Sequence, residues 1–405
     1  MIKLLFSDEA NKLDVNSTRS IAAIIYLAVV GVCVFIVQPG FVQGLVESLG
    51  LTPEQAGYIA SAEMWGLAAT TIVLNFFAGR FDWQKLTFWF LLTAVIGNLA
   101  SIGQKDPLTL GLFRTLAGIG MGGMISLPFA MMGLTKNPDR NFGLIVTWVL
   151  VYGALGLFVM PLALSTIQLD GVLFFFAVFC AGGIFLIRYL PKRANDHVEQ
   201  HQLTDHFSTT VKASTLLAIL IFNSAIGIVW AYLFLVGTNA SLSEQSVANV
   251  LTVSQFLGVA GAFLAAILAA RIGRFIPLTI AVIGCSAGIS LLLSDVTYFL
   301  YSLAVYLFNF LWNIAQPYLL ALMASFADGG KMIVRGVALQ MVGFAVGPYI
   351  GANLLRESGT EMYDLVNLAG AVLFVLSWVF LLPALKAQKN TSSVSPSVEE
   401  LEGLS

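Results

Sequence analysis

Residues 52–80 read TPEQAGYIASAEMWGLAATTIVLNFFAGR, and residues 242–271 read LSEQSVANVLTVSQFLGVAGAFLAAILAAR. Each stretch opens with a polar turn that ends in Glu-Gln and closes on an arginine. The apolar segment between is longer than the roughly 20 residues that a membrane-spanning helix needs. The offset is roughly 190 residues, and PDRNFGL at 138–144 has a weaker echo in IVRGVAL at 333–339. Such a repeat predicts two halves of the same topology.

The composition extends this pattern to the whole chain. Hydrophobic residues make up 58% of it and charged residues 10%, whereas a soluble domain carries about 25% charged residues. We therefore predict an all-α, polytopic membrane protein with twelve transmembrane helices in two pseudo-symmetric six-helix bundles. The predicted spans are residues 20–45, 53–79, 86–103, 108–134, 142–167, 171–190, 212–237, 245–270, 275–294, 297–326, 332–355 and 362–385.

The basic residues predict the orientation. With the N-terminus in the cytoplasm, 17 of the 20 lysine and arginine residues fall in the terminal tails and the inner loops. The outer loops hold Lys105 and Arg356, and Arg114 lies within a span. Because basic residues are concentrated on the cytoplasmic side, we expect both termini to be cytoplasmic, in a multi-pass protein of a bacterial inner membrane.

Polar stretches set the expected domain boundaries. The first apolar run is expected to be a span rather than a cleaved signal peptide, because polar residues precede it. The net charge of −2 argues against nucleic acid as a partner, and we expect a monomer in the lipid bilayer. The predicted regions are a cytoplasmic tail 1–19, a bundle 20–190, a cytoplasmic loop 191–211, a bundle 212–385 and a disordered cytoplasmic tail 386–405.

Two loops carry related basic motifs. NFFAGRFDWQK at 75–85 follows the second span, and AARIGRF at 269–275 follows the eighth. The first is similar to the pattern G-x-L-A-D-R-x-G-R-R, keeping its arginine as Arg80 but placing Gly79 at its aspartate and Asp82 at its second glycine. The second keeps an R-x-G-R core.

Glycine motifs lie inside two further spans. FRTLAGIGMGG at 113–123 combines an intramembrane arginine with spaced glycines, and GFAVGPYIGAN at 343–353 is similar to the G-x-x-x-G-P-x-x-G-G pattern of antiporters. That pattern normally lies in the fifth span, where YGALGLFVMP at 152–161 departs from it. In this order on twelve spans, the motifs make the chain resemble the major facilitator superfamily of secondary transporters.

The resemblance implies two bundles that rock about a central cavity lined by spans 1, 4, 7 and 10. We expect Arg80 and Arg271 to pair with helix-end carbonyls or with acids such as Asp82, Asp139 or Asp328, and so to hold the outward-open state. The predicted gating residues are Arg80, Asp82, Arg271, Arg274, Gly343, Gly347, Pro348 and Gly351. Packing is the alternative role of these glycines and of Gly118, Gly120, Gly122 and Gly123.

Glu63 and Arg114 are the charged residues that lie well inside predicted spans. A charge there costs several kcal/mol unless it faces protein or water. They form either a structural ion pair or a proton site beside an anion-binding site, and the sequence leaves open whether they touch. The apolar neighbours of Glu63 favour its protonated form, whereas a nearby Arg114 favours the carboxylate. An anion that reached Arg114 would therefore promote protonation of Glu63.

A polar stripe marks the tenth span. Tyr306, Asn309, Asn313 and Gln316 are spaced by 3, 4 and 3 residues, so they share one helical face. We expect a substrate wall, with hydrogen bonding between helices as the alternative. The candidate substrate-binding residues are Arg114, Gln38, Asn223, Trp230, Tyr306, Asn309, Trp312, Asn313 and Gln316, with Gln43, Tyr232, Tyr152 and Trp148 as further wall positions.

These features favour a secondary transporter that moves a small organic solute by alternating access. Protons are the expected coupling ion because Glu63 is the intramembrane acid, and Arg114 slightly favours an organic anion. A proton-coupled efflux antiporter is the alternative, and a membrane-embedded enzyme is the competing class. A G-x-x-x-x-G-K-[ST] nucleotide loop is absent from the sequence. No cofactor or metal is expected, because His197, His201 and His206 lie in the central loop and Cys33, Cys180 and Cys285 suit packing.

Overall fold

The computed structural model describes residues 14–77, 80–192, 207–269, 273–293, 295–326, 331–358 and 363–392. Within these ranges the regular secondary structure is helical throughout, which confirms the predicted all-α class. The helices are α1 Thr18–Ile36, α2 Gln38–Leu49, α3 Pro53–Phe77, α4 Trp83–Ser101, α5 Pro107–Met132, α6 Pro138–Ile184, α7 Thr209–Asn239, α8 Glu244–Ala269, α9 Phe275–Ser290, α10 Tyr298–Ala324, α11 Lys331–Ser358 and α12 Tyr363–Ser392, with 3-10 turns at Ile187–Tyr189 and Leu291–Leu293.

The first predicted span is broken into α1 and α2. Val37 has φ −105° and ψ 13°, and Pro39 is the second residue of α2. A proline has no backbone N–H, so it cannot donate to the carbonyl of Phe35 four residues earlier. The Phe35 carbonyl therefore lacks the donor four residues on that an unbroken helix would give it, and within α1 it accepts from the Val37 N–H instead.

The predicted fifth and sixth spans are joined as α6. Its two parts meet at Gln168, whose φ of 54° and ψ of −175° are not helical. Ten described helices are long and apolar enough to cross a membrane, and the 45-residue segment of α6 among them is long enough to cross twice. Trp83–Ser101, which is α4, is not among the ten. From α7 onward each helix matches the predicted span of the same number, except that α12 continues to Ser392, into the tail predicted to be disordered from residue 386.

The helices pack as two groups. In the first, α5 packs against α1, α3 and α4, and α6 packs against α1 and α4. In the second, α7 packs against α11 and α12, and α10 packs against α8 and α9. The groups meet through α2–α7, α3–α11 and α6–α8. The last two contacts are equivalent under the predicted repeat, which maps α3 onto α8 and the first part of α6 onto α11. The residue boundaries of the two bundles remain a prediction.

Small residues allow the helices of each group to approach closely. A Cβ on Gly118 would overlap the Glu63 carbonyl oxygen of α3, and one on Gly120 would overlap the backbone of α4. In the second group, a Cβ on Gly347 would overlap the backbone of α7. The glycine motifs therefore bring main chains together, as the packing interpretation expects.

The two groups are held together at one end. We call the end that bears the start of α1 the termini end, and the opposite one the far end. Toward the far end, Tyr58 Oη donates to Asn353 Oδ1 at 3.1 Å and Ser61 Oγ donates to the Ala345 carbonyl at 2.7 Å. On the equivalent side, Thr252 Oγ1 donates to the Ala154 carbonyl at 3.2 Å. The far end is therefore closed.

Candidate functional site

Glu63 and Arg114 form a buried ion pair between α3 and α5. Arg114 Nε donates to Glu63 Oε2 at 3.2 Å, and Nη2 donates to Glu63 Oε1. Nη1 donates to Asn98 Oδ1 of α4 at 2.7 Å. The guanidinium carbon lies 5.2 Å from the ring centroid of Phe41, a cation–π arrangement. Four helices of the first group therefore converge on one cation.

The pair is enclosed by protein. Glu63 is 1% exposed and Arg114 is 0% exposed, and they are the buried charged side chains of the described part of the chain. A buried cation is tolerated only when it is paired and hydrogen bonded, and each of the three guanidinium nitrogens has an acceptor here. Their contact answers the question that the sequence left open. Both the structural and the coupling interpretation include this contact, so the predicted roles remain predictions.

The amides of the α10 stripe bond to their neighbours in the second group. Asn309 Nδ2 donates to Ser254 Oγ of α8 at 3.0 Å, and Asn313 Nδ2 donates to Asn309 Oδ1 at 2.8 Å. Gln316 Nε2 donates to Asn223 Oδ1 of α7 at 3.1 Å. The stripe therefore links three helices, as the hydrogen-bonding interpretation expects. Asn313 and Gln316 are only partly buried, which leaves them able to bond to a solute as well.

Aromatic rings pack between the two groups next to the break between α1 and α2. The ring centroid of Phe35 lies 4.6 Å from that of Phe344 and 6.4 Å from that of Trp312. Trp230 packs edge to face with Trp312 at 5.9 Å. We call Phe35, Trp230, Trp312 and Phe344 the aromatic seam. It places the predicted residues Trp230 and Trp312 together at the junction of the halves, next to the α10 stripe.

The seam contains the acceptor to which Pro39 cannot donate. Trp230 Nε1 donates to the Phe35 carbonyl oxygen at 2.9 Å. The Val37 N–H at the end of α1 also donates to this oxygen. The α7 side chain therefore supplies a second donor, and it does so across the two groups. This hydrogen bond stabilises the arrangement in which the far end is closed.

Trp230→Phe is expected to weaken closure of the far end. The change keeps an aromatic ring but removes the indole N–H, and with it a hydrogen bond between the two groups that contributes about 0.5–1.5 kcal/mol. Pulsed spin-label distances between Lys105→Cys and Asn239→Cys would report this as a smaller closed population. The native cysteines Cys33, Cys180 and Cys285 are 0% exposed and should not label.

The matched control for that change is Trp148→Phe on α6. Trp148 is one of the predicted wall positions. It is 54% exposed and is not part of the aromatic seam. The control should leave the label distances unchanged. An equal effect of the two substitutions would mean that ring size, rather than the indole donor, accounts for the result.

The other predicted wall residues differ in their surroundings. Gln38 is 1% exposed and its Oε1 has no partner among the described residues, and the same holds for Oε1 of Gln43. Tyr232 Oη donates to the Pro348 carbonyl at 3.1 Å within the second group. Tyr152 stacks on Phe179 at 5.5 Å within α6. Tyr306 is partly buried on α10.

The structure describes only some of the predicted gating residues at the termini end. Arg80 is exposed and lies 5.5 Å from the ring centroid of Phe77, and Asp82 caps α4 by accepting from the Gln84 and Lys85 backbone N–H groups. Arg274 lies at the N-terminus of α9. Arg271, Asp328 and the side chain of Asp139 lie outside what the structure describes, as do the three histidines. The proposed pairing therefore remains a prediction.

The glycines of the antiporter-like motif lie against α7. A Cβ added to Gly343 would contact Asn223 and Ser224. One added to Gly347 would contact Ile228, and one added to Gly351 would contact the Tyr232 ring. Helices α7 and α11 belong to the same group, so these glycines pack within the second half rather than between the halves. Pro348 belongs to the same face through its contact with Tyr232.

Three contributors were missed from the sequence. Asn98 fixes Arg114, Ser61 joins the halves, and Gln255 is a buried amide on α8 with no partner for either polar atom among the described residues. Asn98 could have been noticed as a lone amide deep in an apolar span. The other two look like ordinary helix residues in the sequence.

Two halves built around a buried ion pair, a polar stripe and a closed far end define a helical membrane protein of the transporter class. The family profile described as Major Facilitator Superfamily matches residues 23–332, which is more than half of the chain. The chain therefore belongs to the major facilitator superfamily and is a transporter rather than an enzyme. These findings confirm the resemblance noted from the motifs.

Solved structures show the same fold. The nucleoside transporter NupG superposes with a TM-score of 0.74 at 11% identity, and a D-xylose–proton symporter superposes with a TM-score of 0.71 at 15% identity. Each comparison covers 89% of this chain and 98% of the other. At these identities the likeness concerns the fold alone. A comparison with curated protein sequences finds no match.

Proposed function

We propose that this transporter is a secondary active one that moves a small organic solute by alternating access and couples the movement to protons. The observation that carries the proposal is the bidentate Glu63–Arg114 pair, because a buried carboxylate held by a single arginine is a group whose proton affinity changes when the arginine is drawn away. One structural neighbour is a D-xylose–proton symporter, which agrees with this coupling.

The proposed orientation places the termini end in the cytoplasm, following the distribution of basic residues. In that orientation the outer end is the closed one, through the α3–α11 and α6–α8 contacts. Release of solute to the cytoplasm would precede reopening of the outer end. The membrane is proposed to be a bacterial inner membrane, and the protein a monomer within it.

The organic anion and the neutral solute are the two substrate classes to compare. An anion would bind by drawing Arg114 away from Glu63, which promotes protonation and couples the two fluxes as a symport. A neutral solute is favoured by a different observation, since Arg114 is fully occupied by Glu63 and Asn98 while the partly buried amides of Asn313 and Gln316 lie beside the aromatic seam. The structural neighbours are named for a nucleoside and a sugar.

Substrate screening comes first. Purified protein should be scanned by thermal shift against organic acids, nucleosides, sugars and cationic drugs at two pH values. A ligand that binds the folded state raises the midpoint by mass action, so true substrates stand out by concentration dependence. Stabilisation by cationic drugs alone would favour the efflux antiporter.

Glu63→Gln is expected to separate binding from coupling. The amide mimics the protonated acid, so the variant in proteoliposomes should still exchange the solute found by screening but lose accumulation driven by a pH gradient. Wild-type accumulation by Glu63→Gln would end the coupling proposal. Arg114→Ala should in addition lose binding of anions if Arg114 is their site, while retained anion binding would favour the neutral class.

A further inference from the structure

Gln255 lies where α8 packs against α6, a contact between the two groups of helices. Its side chain is 1% exposed. A Cβ added to Gly153 of α6 would lie 3.1 Å from Gln255 Oε1 and 2.8 Å from Cγ1 of Ile36. One turn nearer the far end, Thr252 Oγ1 reaches the Ala154 carbonyl. The carboxamide therefore lies within the α6–α8 contact that helps to close the far end.

Neither polar atom of this carboxamide has a hydrogen-bond partner among the described residues. The preceding residue shows the contrast: Ser254 faces α10, accepts from Asn309 at 3.0 Å and donates to the Leu251 carbonyl at 2.7 Å. The α6–α8 contact therefore buries a donor pair and an acceptor against apolar and backbone atoms.

Burying an amide without hydrogen bonds is unfavourable, because the group gives up its bonds to water. The cost depends on the state of the transporter. When α6 and α8 are in contact the amide is dry, whereas separation of the halves at the far end returns it to water. Gln255 therefore destabilises the closed far end and leaves the open one unaffected.

We infer that Gln255 sets the balance between the far-end-closed and far-end-open states. The inference rests on alternating access in the proposed function. Tyr58, Ser61 and Trp230 make hydrogen bonds across the halves that favour closure. The unpaired amide offsets part of that stabilisation, which keeps both states within thermal reach of each other, as a cycling transporter needs.

The test is Gln255→Leu in the full-length protein, with spin labels at Lys105→Cys and Asn239→Cys and no ligand added. Leucine fills a similar volume without polar atoms, so removing the unpaired amide should raise the ratio of closed to open molecules about tenfold. A change of this size corresponds to the free-energy cost of burying one polar group without a hydrogen bond. The midpoint of thermal unfolding should rise as well. Gln255→Asn keeps a carboxamide and should stay near the wild-type ratio.

Gln245→Leu is the matched control on the same helix. Gln245 Nε2 donates to Asn249 Oδ1 at 3.0 Å and to the Phe158 carbonyl of α6 at 3.4 Å, so its loss should leave the ratio unchanged or lower it. The inference is overturned if Gln255→Leu leaves the ratio unchanged or lowers it, if both leucine variants raise it equally, or if wild type has no open population. These distances require no proton gradient, so the result is independent of the Glu63 uptake test.

Discussion

Arg114→Met is expected to lose about 3–5 kcal/mol of folding free energy. Methionine retains most of the apolar stem of arginine but leaves Glu63, which is 1% exposed, without its cation. Asn98 Oδ1 loses its donor at the same time. Chemical denaturation of purified protein in mild detergent, compared with wild type, measures the loss, and the yield of monodisperse protein should fall with it.

The double variant Glu63→Leu, Arg114→Met supplies the comparison. Removing both charges deletes the desolvation cost along with the attraction, so more than half of the lost stability should return. A stable double variant would also show whether the pair has a role beyond folding, because a purely structural pair leaves gradient-driven uptake intact. Single substitutions that each cost less than about 1 kcal/mol would contradict the buried, bidentate geometry.

Gly118→Ala is expected to have the second large effect. The added methyl would overlap the Glu63 carbonyl oxygen and approach the Leu67 backbone nitrogen to 3.1 Å. These are main-chain atoms of α3 that cannot rotate away, so α3 and α5 must separate and the Arg114 bonds stretch. Overpacking of a tight core costs about 1–3 kcal/mol or more, measured by the same denaturation.

Gly143→Ala serves as the control for the change in helix propensity. No atom lies within 4 Å of a Cβ added there, although the residue is also within a helix. Alanine is favoured over glycine in a helix interior by about 1 kcal/mol, so this variant should be unchanged or slightly more stable. Equal losses at Gly118 and Gly143 would show that the α3–α5 approach is looser than the structure has it.

The architecture was predictable because its determinants are local and repeated. Each span is a run of apolar residues, and the constant offset between equivalent residues such as Arg80 and Arg271 indicates the two halves. The break in the first span had a signal in Pro39, which removes a donor wherever it lies in a helix. The junction at Gln168 falls between the predicted spans 142–167 and 171–190, so its position was predicted. Its positive φ was not, since this glutamine looks like any other polar residue between two apolar runs.

The site was predictable only in part, for a physical reason. Helical spacing shows which residues share a face, and it grouped Asn309, Asn313 and Gln316 correctly. It does not show which helix that face meets, and here the partners are Ser254 and Asn223. Membrane depth placed Glu63 and Arg114 at similar levels, but contact also depends on helix rotation, which the glycines of α5 fix. Gln255 and Gln245 are the same residue type on one helix, yet Gln245 is exposed and bonds to Asn249 and the Phe158 carbonyl, whereas Gln255 is buried without a partner among the described residues.

The hydrogen bond between Trp230 and the Phe35 carbonyl has a consequence for how variation in this chain should be read. Its acceptor is part of the main chain, so no substitution at position 35 can remove it. The bond is instead encoded by two distant positions, the proline that frees the oxygen and the tryptophan that reaches it. In a saturation library, tolerance at position 35 would therefore be compatible with strong selection at Pro39 and Trp230. If Pro39 or Trp230 is lost, no substitution of Phe35 or of the rings around it should restore the hydrogen bond.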